Sequence, residues 1–457
     1  MNITEKLIDM TADALTEVLS FQYPADVVLS HFFRQEKALG SHDRSFVAET
    51  VYTILRRKRS LERYIGENVT ARRLVLASVV KVLGLSSRQL ADCLRQADKD
   101  WLDSMQAEPE TPPTIAERAD MPDWLAERLL PTLGEDGLLA LARSLNKSAP
   151  LDLRANPIKM EREKILASFA AEGVEAEPGL WSPQSIRMKG KPALQKHPLF
   201  LAGAFEVQDE GSQLLCYLLA PKRGEMVVDF CAGAGGKTLM LGAMMRSTGR
   251  LYAFDVADKR MAKMKPRVAR SGLSNVHPVL IDSERDSKVK RLAGKIDRVL
   301  VDAPCSGMGT LRRNPDLKWR QTAAGVAELT VKQAAILDSA ARMVRPGGRL
   351  VYATCSILAE ENGGIVDAFL ASHPDFRRLN AKEVLAAQGI DIDVGEDLQL
   401  LPQKHGTDGF YAAVMERAPK PAVPKPPKAV VEASDEAVGE VAVDATVAAV
   451  EGAGGAA

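Results

Sequence analysis

The sequence has 457 residues, 60 Lys and Arg against 60 Asp and Glu, 46% hydrophobic residues and five cysteines, with a mean hydropathy of −0.11. This length exceeds one ordinary domain and predicts two or three, in a globular chain able to bury sizeable cores. No apolar run has bilayer length, no basic-then-apolar start marks a signal peptide, and no C-x-x-C or His pair stands at ligand spacing, which argues against a membrane span, a disulfide scaffold and a zinc site.

Residues 1–120 read as helices. Apolar pairs Leu7/Ile8, Ala14/Leu15 and Val18/Leu19 recur near the helical period. After Gly40 a second helix is predicted, with Ser41 or Asp43 as its cap and Phe46, Val47, Val51, Ile54 and Leu55 as its buried stripe. Residues 74–83 and 90–94 predict two more. Pro109, Pro112 and Pro113 mark a break, and residues 124–145 read again as helix. A small mixed segment follows: a strand at 151–155, a helix at 162–171, and short strands near 174–176 and 185–188. From about residue 205 strands and helices alternate. The strands fall at 226–230, 251–255, 276–281, 298–302 and 349–353, with a helix at 331–344 ended by Pro346-Gly347-Gly348. Such alternation implies a mostly parallel sheet. The Pro/Lys-rich and then Ala/Val/Glu-rich end, 418–457, predicts a disordered tail. It carries three Lys and six acids, leaving the body about +3. The expected organisation is a helical domain at 1–120, a helical linker and small α+β segment at 121–205, an α/β domain at 206–417, and the tail.

The first α/β turn, Cys231-Ala232-Gly233-Ala234-Gly235-Gly236-Lys237-Thr238, nearly matches the phosphate-binding pattern G-x-x-x-x-G-K-S/T, except that Cys231 replaces the first glycine. A nucleotide hydrolase is therefore one reading. Asp255 ends the next strand, 26 residues after Asp229, where a carboxylate takes ribose hydroxyls, and Asp282 ends the third, where an adenine edge would lie. These carboxylates favour a nucleoside-type cofactor, with Cys231 to Lys237, Asp255, Arg260, Asp282 and Asp302 as its candidate contacts.

Two cysteine segments follow later strands: Asp302-Ala303-Pro304-Cys305-Ser306-Gly307 and, fifty positions on, Ala353-Thr354-Cys355-Ser356. Thiols at the C-terminal edge of a parallel sheet face the ligand crevice. A hydrolase gives no chemical reason for them. Buried core thiols are the bland alternative, and Cys93 and Cys216, in apolar helical contexts, are assigned to it.

The glycine turn with Pro304-Cys305 and Thr354-Cys355-Ser356 resembles the RNA (cytosine-5) methyltransferases of the Nop/Sun type. The resemblance spans roughly residues 43–417 and is most specific over 208–365. It implies a Rossmann-like class I methyltransferase domain, S-adenosylmethionine as cofactor, and a covalent cysteine adduct on C6 of cytosine. By it Cys355 is the nucleophile, Cys305 the thiol that helps release product, and Asp302 the acid beside N3 of the base. The family usually reads Cys-Ala-Ala-Pro-Gly-Gly-Lys at the loop, where this chain has Gly233 and Ala234 in place of Ala and Pro.

Residues 38–64 resemble a NusB-type RNA-binding bundle, and the small segment stands where the family carries an RRM-like subdomain. This combination resembles the B-type group of bacterial 16S ribosomal RNA methyltransferases and implies a cytoplasmic, monomeric, metal-free enzyme acting on ribosomal RNA. Transfer RNA as substrate, or a non-catalytic RNA-binding assembly factor, are the alternatives. Arg312, Arg313, Lys318, Trp319 and Arg320, four cations with one aromatic beside the Cys305 motif, are expected to contact RNA phosphates and a stacked base. Arg56 to Arg59 and Arg72-Arg73 are weaker candidates for phosphates.

Overall fold

Amphipathic helices build the N-terminal region. In the computed structural model, which describes residues 3–86, 88–105 and 111–420, helices Glu5–Leu19, Ala25–Gln35, Ser41–Arg56, Lys58–Ile65 and Ala71–Lys81 turn their apolar faces into one core. Ile8, Val47, Val51, Ile54 and Leu55 are fully buried there, as their period predicts. Thr4 and Thr70 cap two helices by accepting the N–H of Leu7 and Arg73. Asp43 serves the helix after Gly40 by accepting the Gly40 N–H at 3.3 Å. The helix expected at 90–94 is only a 3-10 turn, Ala91–Cys93. Pro109 and the tail from residue 421 lie outside the described residues.

Helix Asp123–Leu145 is kinked at Gly134, where φ is 65°. It shares its core with Met308, Leu311, Val326, Ile357 and Leu358 of the C-terminal region. The chain then forms β1 (Leu151–Ala155), β2 (Ala176–Pro178), β3 (Ser185–Met188) and β4 (Phe205–Val207), an antiparallel sheet in the order β2-β3-β1-β4. Helix Arg162–Ala171 buries Ile165 and Phe169 in the core of this small unit. The boundary expected at 205/206 cuts β4, which pairs with β1 and hands the chain directly to helix Glu210–Leu219.

The remaining strands are β5 (Met226–Phe230), β6 (Arg250–Asp255), β7 (Val276–Leu280), β8 (Ile296–Asp302), β9 (Val344–Thr354), β10 (Phe376–Leu379), β11 (Leu398–Leu400) and β12 (Phe410–Arg417). Their order is β10-β12-β9-β8-β5-β6-β7, with β11 beside β12. Strands β5 to β9 pair in parallel, whereas β10, β11 and β12 form an antiparallel edge that the sequence pattern did not predict. From β5 the chain winds to β6 and β7 on one side, then crosses to β8 and β9 on the other. The switch between β5 and β8 opens a crevice at the strands' C-terminal ends.

One segment after β8 fastens the helical region to this sheet. The Trp319 indole N–H donates to the Leu55 carbonyl at 2.8 Å, and its ring joins the helical core. Lys318 is buried and donates to the carbonyls of Arg56 and Asp120 at 2.9 and 2.6 Å. Burial pushes the Lys318 amine down to about 7, against the pull of the Asp120 carboxyl. An unfolded lysine keeps its proton to about 10.4, so between these values the unfolded chain holds one more proton and stability rises with pH. Urea unfolding of wild type and Lys318→Met should therefore show the wild type gaining on the variant from pH 7 to 9, by at most about 1.4 kcal/mol per unit. A difference independent of pH would mean that Lys318 stays charged when buried.

Candidate active site

The glycine loop takes its shape from backbone that turns repeatedly left-handed. Cys231, Gly233 and Gly235 have φ of 68°, 59° and 84°. Gly233 N–H donates to the Asp255 carboxylate at 2.7 Å, and Ala257 N–H reaches its other oxygen at 2.7 Å. Asp255 thereby ties the ends of β5 and β6 together, with the exposed Arg260 guanidinium 3.3 Å away. Two arginines brace the loop's carbonyls: Arg154 donates to Gly236 and Arg267 to Ala234, each at 2.7 Å. Below the loop, Thr238 donates to the buried Asp229 at 2.6 Å. Burial raises Asp229 to about 7, with that hydroxyl opposing.

Lys237 crosses from the loop to β8, donating to Asp302 at 2.7 Å. Burial alone would lower this amine, but Asp302 outweighs it and holds the lysine above its ordinary range. The tie also removes Lys237 from the role it would have in a phosphate-binding loop. A crevice of about 710 Å³ is lined by Cys231 to Ala234, Gly236, Lys237, Asp255, Arg260, Asp282, Asp302, Cys305 and Cys355, together with Val207 and Gln208 from the small unit. Of the loop candidates only Gly235 is absent from this lining. Its missing side chain makes room for Met264, whose Cγ lies 2.6 Å from where a Cβ would stand.

The two thiols meet at the crevice floor with their sulfurs 3.3 Å apart. The hydrogen bond to Cys355 comes first, and burial second, in holding Cys305 well above the ordinary thiol range. Either sulfur can be the donor in this contact. Burial likewise raises Cys231 and keeps it protonated. Cys93 and Cys216 are core residues, as expected.

The predicted RNA contacts are placed differently. Arg312 is buried and pairs with Asp408 at 3.0 Å, while Arg313 bridges Asp209 and Asp408. Arg320 pairs with Asp316 at 3.4 Å, and Lys318 and Trp319 anchor the helical region. These side chains are paired within the protein, where their charge suggested a phosphate surface. Arg59 pairs with Asp123, and Arg72 with Asp9 and Asp98.

Sequence reading missed Arg154, Arg267 and the buried Glu361. An arginine inside the apolar strand Leu151–Ala155 was a usable signal for the first. Glu361 gave none, because Ser306 and Gln333, two of its three partner residues, come from distant segments.

Comparison with known proteins sharpens the class. The 16S rRNA methyltransferase RsmB/F family matches residues 216–416, and the ferredoxin-like domain of RsmF/B-like methyltransferases matches residues 121–195. A probable ribosomal RNA small subunit methyltransferase B of Synechocystis is 32% identical over 418 residues, 84% of this chain and 93% of that protein. The crystal structure of PH0851 superposes with a TM-score of 0.75 at 28% identity, over 91% of this chain and 100% of that one. NSun6 from Pyrococcus horikoshii, solved with SFG, shares the fold at 20% identity and a TM-score of 0.58, over 65% of this chain and 98% of that one. The chain belongs to the RsmB/F methyltransferase family, within the Nop/Sun group that its motifs resemble.

Gly235→Ala should lower stability by about 1–2 kcal/mol from the left-handed backbone alone, and further through overlap with Met264. Gly294→Ala meets open space at φ 67° and carries only the first cost. Thermal melts of the two variants check this, and equal losses would show that Met264 yields freely.

Proposed function

We propose that this protein transfers a methyl group from S-adenosylmethionine to C5 of a cytosine in 16S ribosomal RNA, through a Cys355 adduct on C6. The observation that carries the reading is the pair of thiols 3.3 Å apart at the mouth of adjacent parallel strands, facing the same crevice as the glycine loop. The choice of ribosomal RNA over transfer RNA follows the names of the relatives.

The crevice carries both charges: Asp255, Asp282, Glu284 and Asp302 line it beside Lys237, Arg260, Arg267 and Lys332. Lys237 is committed to Asp302, and Arg267 to Glu206 and the Ala234 carbonyl, so neither is free to take a triphosphate. Asp255 would take the ribose hydroxyls, Asp282 would lie toward the adenine, and the loop's backbone would cradle the remainder. When bound, S-adenosylmethionine supplies the electrophilic methyl group that C5 takes.

The chain's own groups do the rest. C5 of cytosine is a poor nucleophile, so the Cys355 sulfur adds to C6 and makes the ring enamine-like. A thiol suits this because it attacks near neutral pH and leaves readily. Cys305 keeps its sulfur within hydrogen-bonding distance of the attacking one. Asp302, held in place by Lys237, stabilises the adduct at N3. Cys305 then helps release the product: the C5 proton leaves to a base, the C5–C6 double bond returns, and the Cys355 sulfur departs from C6.

Thiol variants test this order of events. Cys355→Ala should lose methylation while still binding RNA. Cys305→Ala should attack and methylate, yet stay joined to its product and run as a protein–RNA complex on a denaturing gel. The complex should vanish in the double variant. Trapping by Cys355→Ala instead would reassign the nucleophile to Cys305, and full activity in both single variants would refute the mechanism.

Donor binding is tested separately by calorimetry. Asp255→Ala should weaken S-adenosylmethionine by about 1–3 kcal/mol through lost charge-assisted hydrogen bonds. Tight magnesium-dependent ATP binding without donor binding would overturn the cofactor assignment.

A further inference from the structure

The chemistry above leaves Glu361 unused, although it lies six residues from Cys355 and is fully buried. No Lys or Arg pairs with it among the described residues. Its two oxygens receive four neutral donors instead. Oε1 accepts the Ser306 N–H at 2.8 Å and the Gln333 side-chain amide at 3.0 Å. Oε2 accepts the hydroxyls of both Ser306 and Ser356. The Tyr352 hydroxyl secures the Glu361 carbonyl at 2.7 Å. A carboxylate buried without a cation is costly unless its lone pairs are filled, and here every donor is fixed by the fold.

The identity of these donors matters. Ser306 follows Cys305, and Ser356 follows Cys355. Gln333 also donates to the carbonyl of Pro304, the residue before Cys305, at 3.0 Å. The two serine hydroxyls stand 3.3 Å apart, the same separation as the two sulfurs. The two loops also touch directly, through the serine hydroxyls and through the Gly309 N–H, which donates to the Cys355 carbonyl at 2.9 Å. One carboxylate therefore grips each thiol by its neighbour. An S–H is a weak donor and acts only at close range, so a small loosening of either loop separates the pair.

We infer that Glu361 is the positioning residue of the two thiols: it clamps the Cys305 loop to the Cys355 loop and thereby holds the sulfurs at their working distance. Its catalytic meaning rests on the methyl-transfer reading above, whereas the clamp itself rests on geometry alone. The clamp acts through Ser306 and Ser356 and touches neither donor nor base.

The test compares the full chain with Glu361→Gln and with Ser306→Ala/Ser356→Ala, which keeps the carboxylate and removes its two hydroxyl arms. The first readout needs no RNA. Diamide takes one hydrogen from each thiol and closes a Cys305–Cys355 disulfide, followed by mass spectrometry and protection from alkylation. The second is kcat and KM for RNA with labelled S-adenosylmethionine. Calorimetry with S-adenosylhomocysteine reports whether the donor crevice remains folded. Both variants should keep that affinity, close the disulfide more slowly, and lose about a hundredfold in kcat with little change in KM, the size expected when reacting groups are misplaced by about 1 Å. Wild-type closure and kcat in a variant that retains S-adenosylhomocysteine affinity would overturn the inference. Should the wild type close its disulfide rapidly, the variants slowly, and none methylate RNA, the clamp stands and the methyl-transfer reading falls.

Discussion

The ion pair between Lys237 and Asp302, 2.7 Å apart, is the contact around which the crevice is organised. Both side chains are partly covered, so each ion offsets part of the hydration that the other loses. Lys237 belongs to the first turn after β5 and Asp302 to the end of β8, neighbouring strands at the point where the winding reverses. Asp302 is three residues before Cys305, so the cofactor loop and the thiol loop are joined through one charge contact. The Phe410 ring, at the start of β12, lies 5.9 Å from the same ammonium and brings the antiparallel edge to this point.

The small sheet gains a purpose from this arrangement. Glu206 on β4 receives both Arg267 and Arg270 from helix Asp258–Ser271. Arg267 passes on to the Ala234 carbonyl, and Arg154 on β1 reaches Gly236. A sheet that lines little of the crevice thus sets the pose of the glycine loop. Gln208, at the exit of β4, reaches Arg154 and Ser212 and also faces the crevice.

Much of this was legible because it is local. The inner parallel strands carry apolar runs bounded by turn signals, and residues at or just after the strand ends line the crevice. Short elements carried less signal: β4 and β11 have three residues each, too few for a period to register. Glu361 sits in the string Ala359-Glu360-Glu361-Asn362, which reads as a solvated loop until Ser306 and Gln333 from distant segments are folded against it. The cations from Arg312 to Arg320 illustrate the opposite failure. A lysine that will be buried and one that will meet phosphate look alike in sequence, and only the carbonyls of Arg56 and Asp120 decide between them.

Trp319 and Lys318 also bear on how this architecture can be divided. Their main acceptors belong to Leu55, Arg56 and Asp120, so a fragment that begins after the helical region would leave the indole without its acceptor and the amine with the Asn146 side chain alone. The helical region completes the catalytic half's interior, like a keystone seated from outside. Chimeras that exchange the front end between relatives must therefore exchange this short catalytic-side stretch with it, because the seam runs through the residues following β8 and not through the proline-rich break before residue 120.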